Sequence, residues 1–116
     1  MLVRIDPSSS APLFEQVAAS VRRAIADGSA APGERLPGAR DLAESLDLNV
    51  HTVLRGYQQL RDEGLIELRR GRGAVVAADA GTRGPLQEAV RALVGEARRL
   101  GMGTAELVAL VTKEMT

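Results

Sequence analysis

The chain of 116 residues is 45% hydrophobic and 26% charged, a globular composition that fits one domain, or one small domain with an appendage, and excludes a disordered chain. Its basic and acidic residues cancel, so the average charge argues weakly against a nucleic-acid partner, although the cluster Arg69, Arg70 and Arg72 contains no acid. The absence of cysteine, the single histidine and the lack of an apolar run of roughly 18 residues exclude disulfides, cysteine or multi-histidine metal sites and a membrane span, so we expect a cytoplasmic protein without a metal or cofactor.

Three helices are predicted in the first half of the chain. Residues 13–27 repeat apolar side chains at helical spacing and end at a glycine, and residues 39–46 predict a second, shorter helix. Asp47 follows where the chain has to turn sharply, and Asp tolerates such backbone angles better than most residues. Asn49 is a suitable N-cap for a third helix that runs to about Glu63. The apolar positions on these helices are Leu13, Val17, Val21, Ile25, Leu42, Ala43, Leu46, Val53, Tyr57 and Leu60.

The periodicity changes after the third helix. Residues 66–69 alternate apolar and charged side chains, and residues 74–78 form a small apolar run. The segment RRGRG lies between them, and its glycines permit a tight hairpin. Three helices followed by a hairpin, with a short turn between the second and third helix, indicate a winged helix-turn-helix.

The remainder of the chain predicts a second region. We place the winged helix-turn-helix domain at residues 1–78, a linker of small residues at 79–84 and a two-helix region at 85–116. Pro85 suits the first turn of the fourth helix, and Thr104 is a candidate cap for the fifth. The predicted fold is therefore mainly α with a small β-hairpin, in which an N-terminal winged helix-turn-helix precedes a two-helix C-terminal dimerisation element.

The two C-terminal helices carry an apolar stripe that needs a partner. Segments below about 40 residues rarely hold a core alone, so the stripe packs on the winged domain or on the same helices of a second chain. We favour the second chain. The residues expected at that dimer interface are Leu86, Val90, Leu93, Val94, Leu107, Leu110 and Val111.

Five sequence motifs carry a resemblance to a known family. They are PLFEQV, PGERLP, ARDLAESL, NVHTVLRGYQQL and EGLIELRRGRG, and they follow one another within residues 12–77. In this order and spacing they resemble the GntR family of bacterial regulators, and the short C-terminal part is similar to the YtrA-type branch, which dimerises through two helices. The resemblance implies a transcription regulator, a repressor in our interpretation, that binds palindromic double-stranded operator DNA as a homodimer in the cytoplasm and needs no membrane. It identifies no effector ligand.

The candidate DNA contacts follow from the motif and from groove geometry. A recognition helix presents its N-terminal residues to base edges, and Arg can donate two hydrogen bonds to guanine. The resemblance adds Arg40 as a contact from the second helix, Arg35 as a phosphate contact, and a wing tip that reaches the minor groove, where Arg is attracted electrostatically. The complete candidate set is Arg35, Arg40, Asn49, Val50, His51, Thr52, Arg55, Arg70, Gly71 and Arg72.

Four positions depart from the family pattern. Gly38 replaces a Ser that usually caps the second helix, and Asp47 replaces a Gly in the turn. Val50 lies where the family often has Pro or Arg, and Leu54 is apolar where a polar group usually faces the DNA. Val50 could pack on a thymine methyl group, or base readout there could be lost.

Each assignment has a simpler alternative. Arg40 could pair with Glu44 one helical turn away, and RRGRG could be an ordinary charged hairpin. We expect Arg22, Arg23 and Arg61 on solvated helix faces and Tyr57 in the core. At the level of function, the near-zero net charge supports a winged domain used for protein association. An enzyme is disfavoured, because the chain has one Lys and its lone His has no candidate nucleophile partner.

Overall fold

The computed structural model describes residues 3–116 and is mainly helical. The elements are α1 (Leu13–Ala26), α2 (Ala39–Leu46), α3 (Val50–Asp62), β1 (Ile66–Arg69), β2 (Gly73–Val76), α4 (Ala80–Arg99) and α5 (Thr104–Met115). The two strands form an antiparallel hairpin in which Ile66 pairs with Val76 and Arg69 with Gly73. This is the winged helix fold with C-terminal helices that the sequence predicts. Among the described residues, no helix is long and apolar enough to cross a membrane.

The chain divides into two compact units, Met1–Pro85 and Leu86–Thr116. The first unit holds an aliphatic core between α1, α2, α3 and the hairpin. Tyr57 is its one large aromatic member and is only 2% exposed, which confirms its predicted place in the core. Its most deeply buried large side chains are Val17, Val21, Val53, Tyr57, Leu60, Leu65, Ile66 and Val76.

Helices α1 and α3 approach each other closely at Gly56. A Cβ atom at this position would lie 2.9 Å from the backbone oxygen of Phe14 and 3.2 Å from Cγ1 of Val17. Such distances are below van der Waals contact, so the missing side chain lets the two helix backbones meet. The start of α1 is thereby held beside the middle of α3.

The turn between α2 and α3 has the geometry that the sequence predicts. Asp47 follows α2 with φ 56° and ψ 46°, the left-handed conformation. The side chain of Asn49 then accepts a hydrogen bond from the backbone N–H of His51 at 2.8 Å, so Asn49 is the N-cap of α3. Helix α2 itself has Gly38 at its N-cap and no side-chain cap, as expected from the missing Ser.

A buried ion pair corrects the expectation for Arg22. Its side chain is 3% exposed rather than solvated, and Nε and Nη2 donate to the two carboxylate oxygens of Glu63 at 2.9 and 2.8 Å. The pair joins α1 to the C-cap residue of α3. The sequence did not reveal it because the partners are distant in the chain and meet only when the helices pack. Arg23 and Arg61 are exposed as expected.

The second corrected expectation concerns the segment before Pro85. Helix α4 begins at Ala80, so the predicted linker is largely helical and Pro85 lies inside the helix rather than in its first turn. Asp79 directly precedes the helix, and its backbone oxygen accepts hydrogen bonds from the N–H groups of Thr82 and Arg83. Asp is a favoured residue directly before a helix, so Asp79 marks the start of α4. The small residues that follow it made the segment look like a linker.

The second unit contains the rest of α4 and all of α5. Gly101 has a positive φ of 71° and follows the end of α4. Helix α5 begins at Thr104, but the N-cap is Gly103 and no side chain caps the helix, so the predicted capping role of Thr104 is wrong. Ala97 is the one buried hydrophobic residue of this unit.

Candidate nucleic-acid interface

Helix α3 has one buried and one exposed side. Val53, Tyr57 and Leu60 face the core. His51, Leu54, Arg55 and Gln58 are exposed and recur at intervals of three or four residues, which places them on one face. A helix with one free polar face is the element that enters a major groove in helix-turn-helix proteins.

The N-terminal end of α3 borders a shallow depression. The depression is lined by Leu13, Phe14, Asn49, His51, Thr52 and Arg55. Four of these six residues are predicted DNA contacts, so the structure brings Asn49, His51, Thr52 and Arg55 together. Because the Asn49 oxygen caps the helix, the amide nitrogen of the same side chain remains available as a donor.

The structure separates the two apolar residues that depart from the family pattern. Val50 is half-buried and packs against the hydrophobic core, so only part of its side chain is accessible to a thymine methyl group. Leu54 is 37% exposed on the same face as His51 and Arg55. The more exposed apolar surface of α3 is therefore that of Leu54, and base readout by Val50 stays a prediction.

Arg40 lies in the first turn of α2 and is exposed. Within residues 3–116 its side chain makes no ion pair, so the alternative of a pair with Glu44 is absent from the structure. An exposed arginine without a carboxylate partner keeps its donors available for an external anion.

Arg35 is positioned by the loop that precedes α2. This loop runs beside the hairpin: Leu36 N–H donates to the Ala74 oxygen and Val76 N–H donates to the Glu34 oxygen, both at 2.8 Å. Arg35 itself forms an isolated bridge with Val75. The loop thus extends the wing by a short third segment and carries the exposed Arg35 next to it.

The Tyr57 hydroxyl fixes the other end of the same loop. It donates a hydrogen bond to the Pro37 oxygen at 2.7 Å, directly before α2. Burial of the ring raises the pKa of Tyr57 to about 12, because the phenolate would be poorly solvated there. Tyr57 is therefore a neutral donor at every physiological pH and anchors the segment that leads into α2.

The wing tip is the turn between β1 and β2. Arg70, Gly71 and Arg72 are all exposed, and Gly71 adopts a φ of 80° in open space, where an added Cβ atom would meet nothing within 4 Å. Arg69 differs from its neighbours, because its Nε donates to Glu67 at 2.7 Å. Of these three arginines, Arg70 and Arg72 have no carboxylate partner among residues 3–116.

One contact at the site was not expected from the sequence. The guanidinium carbon of Arg55 lies 3.8 Å from the centre of the Phe14 ring. Phe14 belongs to α1 and lies outside the helix-turn-helix itself. Spacing along one helix cannot reveal such a contact, because it depends on how α1 crosses α3.

The second unit exposes most of its large apolar side chains. Leu86 is 66% exposed, and Val94 and Leu107 of the predicted dimer interface are half-buried. Two helices of this length have too little surface to cover these side chains by themselves. The exposed large hydrophobic residues of the unit are Leu86, Val90, Leu93, Leu100, Val108, Leu110, Val111 and Met115.

The fold and the exposed face of α3 define the class as winged helix-turn-helix regulators. Comparison with known proteins then gives the family: residues 13–76 match the bacterial regulatory proteins of the gntR family, and the chain belongs to that family. It is a YtrA-like transcription regulator, and the family consists of DNA-binding regulators rather than enzymes.

Relatives with related sequences cover different shares of the chain. It is 38% identical over 81 residues to the HTH-type transcriptional repressor YtrA of Bacillus subtilis, covering 70% of this chain and 62% of that protein. It is 32% identical to the HTH-type transcriptional regulator Rv1152 of Mycobacterium tuberculosis, covering 95% of this chain and 91% of the relative. The chain thus spans less than two thirds of the first relative and nearly all of the second.

Solved structures agree with the sequence comparison. YtrA from Sulfolobus acidocaldarius, a GntR-family transcription factor, superposes with a TM-score of 0.64 at 34% identity over 81% of this chain and 99% of that one. The DNA-binding domain of AraR, in complex with operator ORX1, has a TM-score of 0.58 at 25% identity over 64% of this chain and 92% of that one.

Proposed function

We propose that the protein is a repressor that binds a palindromic operator as a homodimer. The observation that carries the proposal is the exposed face of α3, which presents His51, Leu54 and Arg55 beside the capped helix start. A helix N-terminus and short polar side chains suit phosphates, and Arg suits guanine in the major groove. The AraR complex with its operator supports the same use of the domain here.

The distribution of ion pairs reconciles this proposal with zero net charge. Arg22 is neutralised by Glu63 in the core, and Arg69 is paired with Glu67 on the hairpin. The arginines proposed to touch DNA have no carboxylate partner among residues 3–116, and they lie on α2, α3 and the wing with its adjoining loop. They are Arg35, Arg40, Arg55, Arg70 and Arg72. Local unpaired charge, rather than net charge, then provides the attraction to phosphate.

The homodimer is proposed from the second unit. Its exposed apolar residues include Val90, Leu93, Leu110 and Val111, all at least two fifths exposed. Large contiguous apolar patches are rare on monomers and mark association surfaces. Two copies of Leu86–Thr116 would bury these side chains together, and a two-fold dimer would present two α3 helices to successive major grooves. Half-sites are then expected roughly 34–36 Å apart, or at a multiple of that distance.

The repressor role is proposed from a relative and from the way a dimer occupies DNA. The B. subtilis relative is named a transcriptional repressor. A dimer that is bound to an operator overlapping a promoter would block RNA polymerase by occupying the DNA. Such repression needs no activity beyond DNA binding.

The test is fluorescence anisotropy with the DNA upstream of its own gene, at several salt concentrations, alongside sedimentation equilibrium. We expect a dimer whose affinity falls steeply with salt yet stays well above its affinity for scrambled DNA. Removing the guanidinium groups of Arg40, Arg55 or Arg72 should weaken binding. An operator found by selection from random DNA replaces the upstream fragment if that fragment is not bound.

The competing function is a winged domain used for protein association, which the zero net charge favours. Absence of any DNA binding at low salt, including in the selection, would support that alternative and overturn the proposal. Binding that is tight but equal for all sequences would retain a DNA-binding protein and overturn the sequence-specific repressor.

A further inference from the structure

The contact between Phe14 and Arg55 joins α1 to the proposed DNA-reading face. The Arg55 guanidinium carbon is 3.8 Å from the ring centre, well inside the range of about 6 Å for a cation–π interaction. Both residues line the depression at the N-terminal end of α3, together with Asn49, His51 and Thr52. The ring therefore touches the one recognition-helix residue with a long cationic side chain at this end of α3.

The close helix crossing is what brings the ring to this place. Gly56 follows Arg55 directly, and its missing side chain lets the backbone of α1 at Phe14 lie against α3. Phe14 is half-buried, so its ring is restrained by its surroundings, whereas Arg55 is exposed. A restrained ring can orient a flexible arginine, while the reverse is not expected.

The geometry leaves Arg55 able to bind. The contact runs through the guanidinium carbon, and the five N–H donors lie around the edge of the group, so donors remain available beside the ring. No carboxylate within residues 3–116 competes for those donors. A stacked guanidinium loses less rotational freedom on binding than a free one, which favours the bound state.

We propose that Phe14 is a positioning residue for DNA recognition, which stacks on Arg55 and pre-orients its guanidinium for a phosphate or a guanine. The inference rests on the proposed function and adds α1 to the elements that determine operator affinity. Phe14 itself acts through Arg55 and needs no contact with DNA.

The test is a double-mutant cycle on a DNA operator selected by the wild-type protein. Phe14→Leu keeps an apolar side chain but removes the aromatic face, and it should weaken operator binding about two- to fivefold. Phe14→Tyr keeps the face and should bind like the wild type. In an Arg55→Ala background, Phe14→Leu should change affinity by less than about 1.5-fold, since the partner of the ring is gone.

Thermal unfolding of each variant separates positioning from folding. If Phe14→Leu weakens binding equally with and without Arg55, or if Phe14→Tyr does not restore affinity, Phe14 has a general structural role and the inference is wrong. Unchanged affinity in Phe14→Leu also overturns it, while leaving the proposed function intact. A wild-type protein that selects no operator overturns both, so the two failures are distinguishable.

Discussion

The two compact units of this chain treat apolar side chains in opposite ways. In the described part of Met1–Pro85 most large aliphatic residues and Tyr57 are buried in a common core, and the exposed ones are Leu13, Leu54 and Leu68. In Leu86–Thr116 most side chains of the same kind are exposed, up to 83% for Met115, and Ala97 is the one buried hydrophobic residue. Two helices cannot enclose a core between them, whereas three helices and a hairpin can. The first unit thus encloses its own core, whereas the apolar side chains of the second are those that the proposed dimer would cover.

The largest expected effect comes from placing charge on the exposed stripe of the second unit. Leu93→Glu combined with Leu110→Glu should convert the proposed dimer to a monomer, because two carboxylates per chain cannot be buried unpaired. Operator affinity should then fall by at least about 100-fold, since each chain keeps one half-site. Sedimentation equilibrium and anisotropy measure the two effects. Ala92→Glu, on α4 but outside the apolar stripe, is the matched control. A double variant that remains dimeric would show that the exposed apolar side chains of the second unit do not form the dimer interface.

Breaking the buried ion pair should destabilise the first unit. Arg22→Met leaves the Glu63 carboxylate without its bidentate partner, and we expect a loss of about 3–5 kcal/mol in the free energy of unfolding. Urea titration followed by circular dichroism gives the value. Arg61→Met is the control, because its pair with Asp62 is exposed and contributes at most about 1 kcal/mol. Equal losses in both variants would contradict the distinction between buried and exposed pairs.

The same substitution at two glycines should have opposite signs in the two units. Gly56→Ala places a methyl group against the Phe14 oxygen and Val17, and overpacking should cost about 1–3 kcal/mol. Gly95→Ala meets nothing within 4 Å in α4 and should stabilise the protein by about 0.5–1 kcal/mol through helix propensity. Urea midpoints measure both. A stabilising Gly56→Ala would mean that the helices separate without cost.

Alkaline pH should weaken the first unit through Tyr57. Its folded pKa is about 12, above the ordinary value near 10, so the unfolded chain releases the proton first. The contribution of the buried, neutral Tyr57 to the free energy of unfolding is therefore complete below pH 10 and is lost as pH rises towards 12. Tyr57→Phe should show a flatter decline of stability over this range, measured by urea midpoints at pH 9, 10 and 11. Identical declines in the two proteins would show that other groups dominate.

The smallest effect tests the apolar residue that α3 leaves exposed. If Leu54 packs on a thymine methyl group, replacing that thymine by deoxyuridine should weaken operator binding about fourfold, the value of one buried methyl group. Anisotropy with single deoxyuridine substitutions identifies the position. The Leu54→Ala variant should bind both DNAs equally, whereas Val50→Ala should retain the preference. A preference that persists in Leu54→Ala would assign the readout elsewhere.

Much of this molecule is predictable from its sequence because its local signals agree. The helical periods, the cap at Asn49 and the tight turn at Asp47 are short-range features, and the structure reproduces the boundaries of α2 and the start of α1 and α3. The sequence pattern places the start of α4 too late, because Pro85 suits a first turn and hides the signal of Asp79. Glycine and other small residues are typical of loops, so a helix that begins among them lacks the change in composition from which a helix start is predicted.

The candidate site also has features that the sequence predicts and features that only the structure shows. Which residues are polar, cationic and near a helix start is written in the sequence, and so is the set of possible DNA contacts. Which of these residues have their side chains free for an external ligand is not predictable from the sequence. The packing of α3 on the core leaves Leu54 exposed and buries part of Val50. Side-chain placement, rather than spacing, separates Arg40 from Glu44.

The sequence alone determined the class of fold, because hydrophobic periodicity, caps and turn residues act within a few positions of one another, and its five motifs carried the resemblance to the family. The tertiary structure decided which charges are neutralised and which are available: Arg22 is in the core with Glu63, and Arg55 is stacked on Phe14. Both contacts join residues far apart in the chain. Both form because α1 packs along α3 and crosses it closely at Gly56. No pattern within a single element encodes that packing.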